Sequence, residues 1–339
     1  MTFGLAKTML GLGTAMGIAV GATAALAQQE LRFTTSVPAN SFIYTDILEV
    51  WAQRVTEDSQ GTLTIRLFPA GTLGRDASGH LDMVRNGIVD LAYFIPGYTP
   101  GAMTEATIVE LPNMVPNALV GSVAAARMID EGMWTGQGME DVKILGMFST
   151  APALLTTREP VASLEDVANM NLRGAGPTLL ASIEAIGATP VGGLTAPQIA
   201  EAMSRGLVDG TINEWVALTI FGIAETAHNH LNVNMGSSAI MVAINRGTYD
   251  ALPPEAQAAI DRHSGEAFAR LWGEEFDARI AAFRSAAEQD PDRNFTTLSE
   301  AEQARWDERL QTVIDGWIEA TPNGQALYDA YTAAVAEVQ

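Results

Sequence analysis

Few side chains in this sequence are equipped for covalent chemistry. It contains no Cys, which removes thiolate nucleophiles, thiolate metal sites and disulfides together. Of its four His residues, His80, His228, His230 and His263, the pair in His228-Asn229-His230 offers two nitrogen donors. A metal site needs a third ligand close by, and a polar loop is the alternative reading. Gly174-Ala175-Gly176 and Gly192-Gly193 lack the Gly-Lys-Ser/Thr ending of a phosphate loop, and no Gly-x-Ser-x-Gly elbow occurs. Arg173 closes the run Met170 to Arg173 directly before Gly174-Ala175-Gly176. A guanidinium fork matches the two oxygens of a carboxylate and keeps its charge when buried. The glycines let backbone approach closely, and a helix beginning near Pro177 adds the positive end of its dipole. Pairing with a surface acid is the other role open to Arg173. Arg158 lies upstream, followed by Glu159-Pro160, which reads as a loop.

The elements that would position these residues alternate between strand and helix. Leu31 to Thr35 reads as a strand and Phe42 to Val55 as a helix, with Ile43, Ile47, Val50, Trp51 and Val55 at helical spacing. Thr62 to Phe68 alternates apolar and polar residues, Leu81 to Arg85 is helical up to Gly87, and Val89 to Phe94 is a buried strand. This order implies parallel βαβ units and an α/β fold. The same grammar restarts after a capping box at Ser163-Leu164-Glu165-Asp166, and Thr195-Ala196-Pro197-Gln198 caps another helix that Gly206 ends. Met83 to Asp90 echoes Met203 to Asp209: a helix end, a Gly and a strand start carrying Val-Asp. From about Pro253 the chain is mostly helical, over Glu255 to Ala287 and Ser299 to Ile318.

The two ends and the charge set the setting. Lys7 is the only charge before Glu30, Leu5 to Val20 is apolar, and Ala25-Leu26-Ala27 is a small-x-small cleavage pattern, so residues 1–27 read as a signal peptide removed after Ala27. No later stretch is apolar for the ~20 residues of a spanning helix, and the mature chain is expected to be soluble. At 339 residues, 47% of them hydrophobic, two domains are expected. The formal net charge of −21 repels nucleic acid and anionic lipid. An anionic ligand would have to be captured by a local positive group in a cleft.

The sequence resembles the DctP-type solute receptors of tripartite ATP-independent periplasmic (TRAP) transporters. The resemblance is carried by Asn171-Leu172-Arg173-Gly174, by Gly187-Ala188-Thr189-Pro190-Val191, by Ile199 to Gly210 with Asn213, and in the first half by Leu73-Gly74, Met83 to Ala92 and Gly97-Tyr98-Thr99-Pro100-Gly101. It implies a two-lobed periplasmic binding protein fold with hinge strands and a long bridging helix. Lobe I would take residues 28–150 and about 237–278, and lobe II residues 151–236 and about 279–320. The crossings would lie near Met147 to Pro152 and Ser237 to Asn245. It also implies a periplasmic receptor, without catalysis, cofactor or metal, that binds a small organic acid and hands it to TRAP membrane subunits; a receptor of an ATP-driven importer, or a sensing partner of a membrane protein, is the alternative. In this family the arginine matching Arg173 typically clamps the ligand carboxylate. Asn213 matches a polar ligand contact. Trp215, two residues on, is expected on the same strand face, as pocket wall or core. Tyr93, Phe94 and Tyr98 flank a cleft-lining turn. Sialic-acid-type members carry a second arginine where this chain has Pro152 or Ala153, which leaves Arg158 as a secondary candidate and favours a smaller or more apolar monocarboxylate.

Overall fold

The computed structural model describes residues 1–2, 28–134 and 139–339; the expected signal peptide lies outside the described residues except for its first two. The strands, in chain order, are β1 (Gln29–Thr34), β2 (Leu63–Phe68), β3 (Leu91–Phe94), β4 (Val142–Ser149), β5 (Leu154–Thr157), β6 (Asn171–Arg173), β7 (Thr189–Val191), β8 (Gly210–Asn213), β9 (Asn229–Leu231), β10 (Ala239–Asn245) and β11 (Asn294–Thr296). They form two sheets, ordered β2-β1-β3-β10-β4 and β11-β9-β5-β8-β6-β7. The expected parallel units are present as β1 with β2 and β3, and as β6 with β7 and β8. The strands that enter each sheet from the other lobe, β10 and β5, run antiparallel to their neighbours and make both sheets mixed.

Each sheet is covered on both faces. Along β10, Ile240, Val242 and Ile244 join one apolar cluster while Met241 and Ala243 join the other, as the two-residue period of a strand requires. The first cluster holds helices Glu49–Asp58 and Pro254–Arg262, and the second holds helices Ala118–Asp130 and Gly324–Val338. Both sheets use one device to seat a parallel strand. Asp90 accepts hydrogen bonds from the backbone N and Nε of Arg32, at 2.7 and 3.1 Å, and Asp209 accepts from the backbone N of Asn171 at 2.9 Å. The echo between Met83 to Asp90 and Met203 to Asp209 is therefore structural: after each helix a glycine at positive φ, Gly87 or Gly206, turns the chain so that an aspartate can hold the neighbouring strand.

The chain passes between the sheets at 150–153 and again at 232–238. The two passages are hydrogen-bonded to each other, Ala153 N to Gly236 O at 2.7 Å and Thr150 N to Ser238 O at 3.0 Å. The second lies earlier than expected, because Ala239–Asn245 is a full strand of the first sheet. The expected helix over Glu255 to Ala287 is broken, ending at Arg262 and restarting at Glu266 after Gly265 at φ +60. The restarted helix, Glu266–Glu288, is a bridge: Phe268, Trp272 and Phe276 lie in the first sheet's core and Ala287 in the second's. Trp272 stacks on Phe148 at 4.8 Å and donates its indole N–H to Ser149 O at 3.0 Å. A second helix, Glu300–Ala320, also crosses, with Trp306 and Leu310 in one core and Ile314 and Trp317 in the other. Among the described residues no helix is long and apolar enough to cross a membrane.

Candidate functional site

Between the sheets lies a cavity of about 40 Å³. Val37, Ile43, Tyr93, Ile95 and Tyr98 line it from the first sheet's side, Arg173, Ala175, Ala196, Asn213 and Glu214 from the second's, Thr150 and Ser238 from the passages, and Phe276 from the bridging helix. Arg173 and Glu214 are the only charged residues among these.

Arg173 ends β6 and is 1% exposed. Its Nε and Nη2 donate to Leu194 O at 3.0 and 2.7 Å, and Nη2 also donates to the Tyr98 hydroxyl at 3.3 Å. The Tyr98 ring lies 5.9 Å from the guanidinium carbon. Among the described residues Arg173 forms no ion pair, and Nη1 makes no hydrogen bond. A buried guanidinium without a carboxylate is uncommon, since removing its charge from water costs several kcal/mol unless an anion compensates. Surface pairing, the competing role for Arg173, is thus not what the fold does with it.

Two acids lie in the same region, and neither reaches the guanidinium. Glu214 is buried and caps helix Trp215–Ile220, accepting from the backbone N–H of Val216 at 2.5 Å and Ala217 at 3.2 Å. Burial pushes its carboxyl up to about 7 against those two hydrogen bonds. Glu110 is wholly buried where the first sheet meets the passage and accepts from Ala239 N at 3.3 Å, while its Oε2 has no partner. Burial pushes it too up to about 7, against that hydrogen bond, the nearby Thr178 hydroxyl and the positive charge of Arg173. Neither acid stands out as a site residue in the sequence, though each carries a local signal. Glu110 is a lone acid inside Thr107-Ile108-Val109-Glu110-Leu111, and Glu214 precedes an apolar helix at the position where a capping acid belongs; those signals could have found them.

The remaining expected site residues divide. Asn213 ends β8 at the cavity; its Oδ1 accepts from the Thr211 hydroxyl at 2.7 Å, and its Nδ2 has no partner among the described residues. Tyr93 and Tyr98 line the cavity, and burial holds the Tyr93 phenol well above its usual range. Phe94 does not line it, because adjacent strand residues face opposite ways: Tyr93 joins the cluster on the cavity side and Phe94 the one behind the sheet. Trp215 is also a correction. The strand stops at Asn213 and Glu214 starts a helix, so a two-residue spacing no longer keeps one face; Trp215 packs in the second sheet's core, 4.7 Å from the His230 ring and 5.8 Å from Phe295. Arg158 lies at the other end of that sheet. It follows Thr157, which is paired with Gly210, whereas the cavity end pairs Leu154 with Asn213. Arg158 is held by Asp209 at 2.5 Å. His230 is likewise not in a polar loop: Asn229–Leu231 is a buried strand, His230 Nδ1 meets Thr156 Oγ1 at 3.0 Å, and no group of three or more metal-ligating side chains occurs among the described residues.

Two α/β sheets joined by crossing strands, with a charged cavity between them, define the class of two-lobed solute-binding proteins. The chain belongs to the DctP family, "Bacterial extracellular solute-binding protein, family 7", whose model matches residues 33–320. It is a solute receptor of the type that serves TRAP transporters. It is 25% identical over 325 residues to an ectoine/5-hydroxyectoine-binding periplasmic protein of Ruegeria pomeroyi, covering 93% of each chain. A TRAP solute-binding protein of Rhodoferax ferrireducens, solved with copurified benzoate, superposes with a TM-score of 0.85 at 25% identity, over 91% of this chain and 98% of that one. A marine-metagenome TRAP solute-binding protein solved with 3-hydroxybenzoate gives the same TM-score and coverage at 26% identity.

Proposed function

We propose that this protein is the periplasmic receptor for a small monocarboxylate with an apolar body, which it encloses between its lobes and presents to the membrane subunits of a TRAP transporter. The observation that carries the ligand class is Arg173: 1% exposed, facing a cavity, with Nη1 free and no ion pair among the described residues. A carboxylate supplies the missing counter-charge in a low-dielectric site, where such a pair is strongest. One cation beside an acid, Glu214, suits one carboxylate better than two. Ile43, Ile95, Val216, Ile220, Phe221 and Phe276 supply the apolar wall for the rest of the ligand. The receptors solved with benzoate and 3-hydroxybenzoate accord with that chemistry.

Because the guanidinium is buried and the cavity holds only about 40 Å³, a ligand reaches it only when the lobes part, and the walls must draw back to accept the body of the acid. We read the β10–β4 sheet and its helices as one moving body and the β5–β8 sheet as the other, with the passages at 150–153 and 232–238 as the hinge. Residues 1–27 are read as an export leader cleaved after Ala27. A thermal-shift screen against paired carboxylates and their amides, benzoate against benzamide for example, tests the ligand class. The carboxylates are expected to raise the melting temperature and the amides to leave it unchanged; equal shifts for both would contradict it.

A further inference from the structure

The turn Pro96–Tyr98 leaves the first sheet's body and lands on the second. Gly97 and Gly176 meet backbone to backbone across the cleft: a Cβ built on Gly176 would lie 2.6 Å from Gly97 Cα and 3.0 Å from Gly97 O, and one on Gly97 would lie 3.1 Å from Gly176 Cα. At Gly176 that approach requires a glycine, and at Gly97 an added Cβ would be tight against the opposite backbone. The requirement is one of space, because Gly176 itself has φ −164 and ψ −176, extended backbone open to any residue. Beside this contact the Tyr98 hydroxyl accepts two hydrogen bonds, both from the opposite lobe: one from Ala196 N at 2.8 Å and one from Arg173 Nη2 at 3.3 Å. The first satisfies a backbone donor at the start of the turn Ala196–Gln198. The second, together with the two bonds from Arg173 to Leu194 O, fixes the plane of the guanidinium and leaves Nη1 for a ligand.

We propose that the turn Pro96–Tyr98 is an interlobe latch, seated only when the cleft is shut, in which Tyr98 is a positioning residue that orients Arg173 for the anion. This rests on the reading of the cavity as a carboxylate site in a closing cleft. The consequence is a coupling. With the lobes apart, Arg173 lacks its Tyr98 bond and keeps only Leu194 to orient it; seating of the turn restores the orientation, so closure and tight anion binding reinforce each other.

The chain has no Cys, so spin labels can be placed uniquely by Glu57→Cys in one lobe and Glu184→Cys in the other, both at exposed positions. Interlobe distances are then measured without ligand and with benzoate, 3-hydroxybenzoate and pyruvate in turn, in the wild-type background, in Gly176→Ala and in Tyr98→Phe. Gly176→Ala is expected to lose the short-distance population, with or without acid, and to melt at the wild-type temperature in the absence of acid, since the three atoms nearest its methyl all belong to Gly97 of the other lobe. Tyr98→Phe removes the hydroxyl and keeps the ring; it is expected to bind an acid about tenfold more weakly and to release it faster. A Gly176→Ala protein with wild-type distances and affinity would overturn the latch. If no acid moves the labels or the melting of the wild type, the carboxylate reading fails instead, while the ligand-free distances of Gly176→Ala still decide whether the turn governs closure.

Discussion

Replacing Arg173 with methionine separates a binding role from a structural one, because the two predict opposite patterns. In the closed structure the guanidinium is 1% exposed, has no ion pair among the described residues, and makes three hydrogen bonds, two of them to Leu194 O. Removing it orphans that carbonyl, at about 1–3 kcal/mol, and relieves a desolvated charge of comparable or larger cost. The unliganded variant should therefore melt within a few degrees of wild type. The liganded comparison is different. An acid at about 100 times its dissociation constant stabilises the wild type by about 2.7 kcal/mol, or roughly 4 °C for a chain of this length. Loss of a buried charge pair costs about 3 kcal/mol of affinity, roughly 150-fold. At the same acid concentration the variant then gains only about 0.3 kcal/mol, a shift under about 1 °C. Arg173→Lys, which keeps the charge and loses the fork, should fall between. The assay is thermal unfolding of the three proteins across one titration of benzoate or of whichever acid stabilises the wild type. A wild-type shift retained in Arg173→Met would refute the clamp.

Three further outcomes follow from the same contacts. Glu110 is pushed up to about 7 in the folded chain, from an unfolded value near 4.5, so its contribution is fully present below about 4.5 and is lost as the pH rises through 7. His230, pulled down to about 4 by burial, acts the other way between 4 and 6.5, so the readout is the difference between Glu110→Gln and wild type at each pH; the variant should be near-neutral at pH 5 and the more stable of the two at pH 8, by chemical denaturation. Trp215→Ala should cost about 3–5 kcal/mol of unfolding free energy by the same method. Arg158→Ala, which breaks a partly exposed pair at the far end of the sheet, should change stability by under about 1 kcal/mol and leave acid affinity at the wild-type value by calorimetric titration.

Local rules carried the sequence reading as far as they reach. The capping boxes at Ser163 and Thr195 form as expected, and Gly187 and Gly206 end their helices at positive φ, because caps and stops are fixed by neighbours within a few residues. Arg173 was legible locally only as a strand end before a glycine turn; the ligand role expected of it came from the family resemblance. The errors arose where partners distant in sequence decide. Ala239 to Ile244 reads as an apolar strand, yet nothing local tells a hinge crossing from the sheet strand it is, since that depends on pairing with Met147 and Phe94 far upstream. Helix Ala118–Asp130 is buried almost all round and carries little periodicity to read. Trp215 was misplaced by one residue of context, the change from strand to helix at Glu214. The latch was beyond reach altogether, for Gly97 and Gly176 look like ordinary turn glycines until the two lobes are brought together.

A crystal structure of the protein with the acid that stabilises it most tests directly whether a carboxylate sits on Arg173 inside the closed cleft. Carboxylate oxygens are expected within hydrogen-bonding distance of Arg173 Nη1, with the Tyr98 hydroxyl still bridging to Ala196 and the body of the acid against Ile220 and Phe276. An acid seated elsewhere, for example in the apolar groove between Pro100 and Trp317, with Arg173 still bonded only to Leu194 and Tyr98, would contradict that placement.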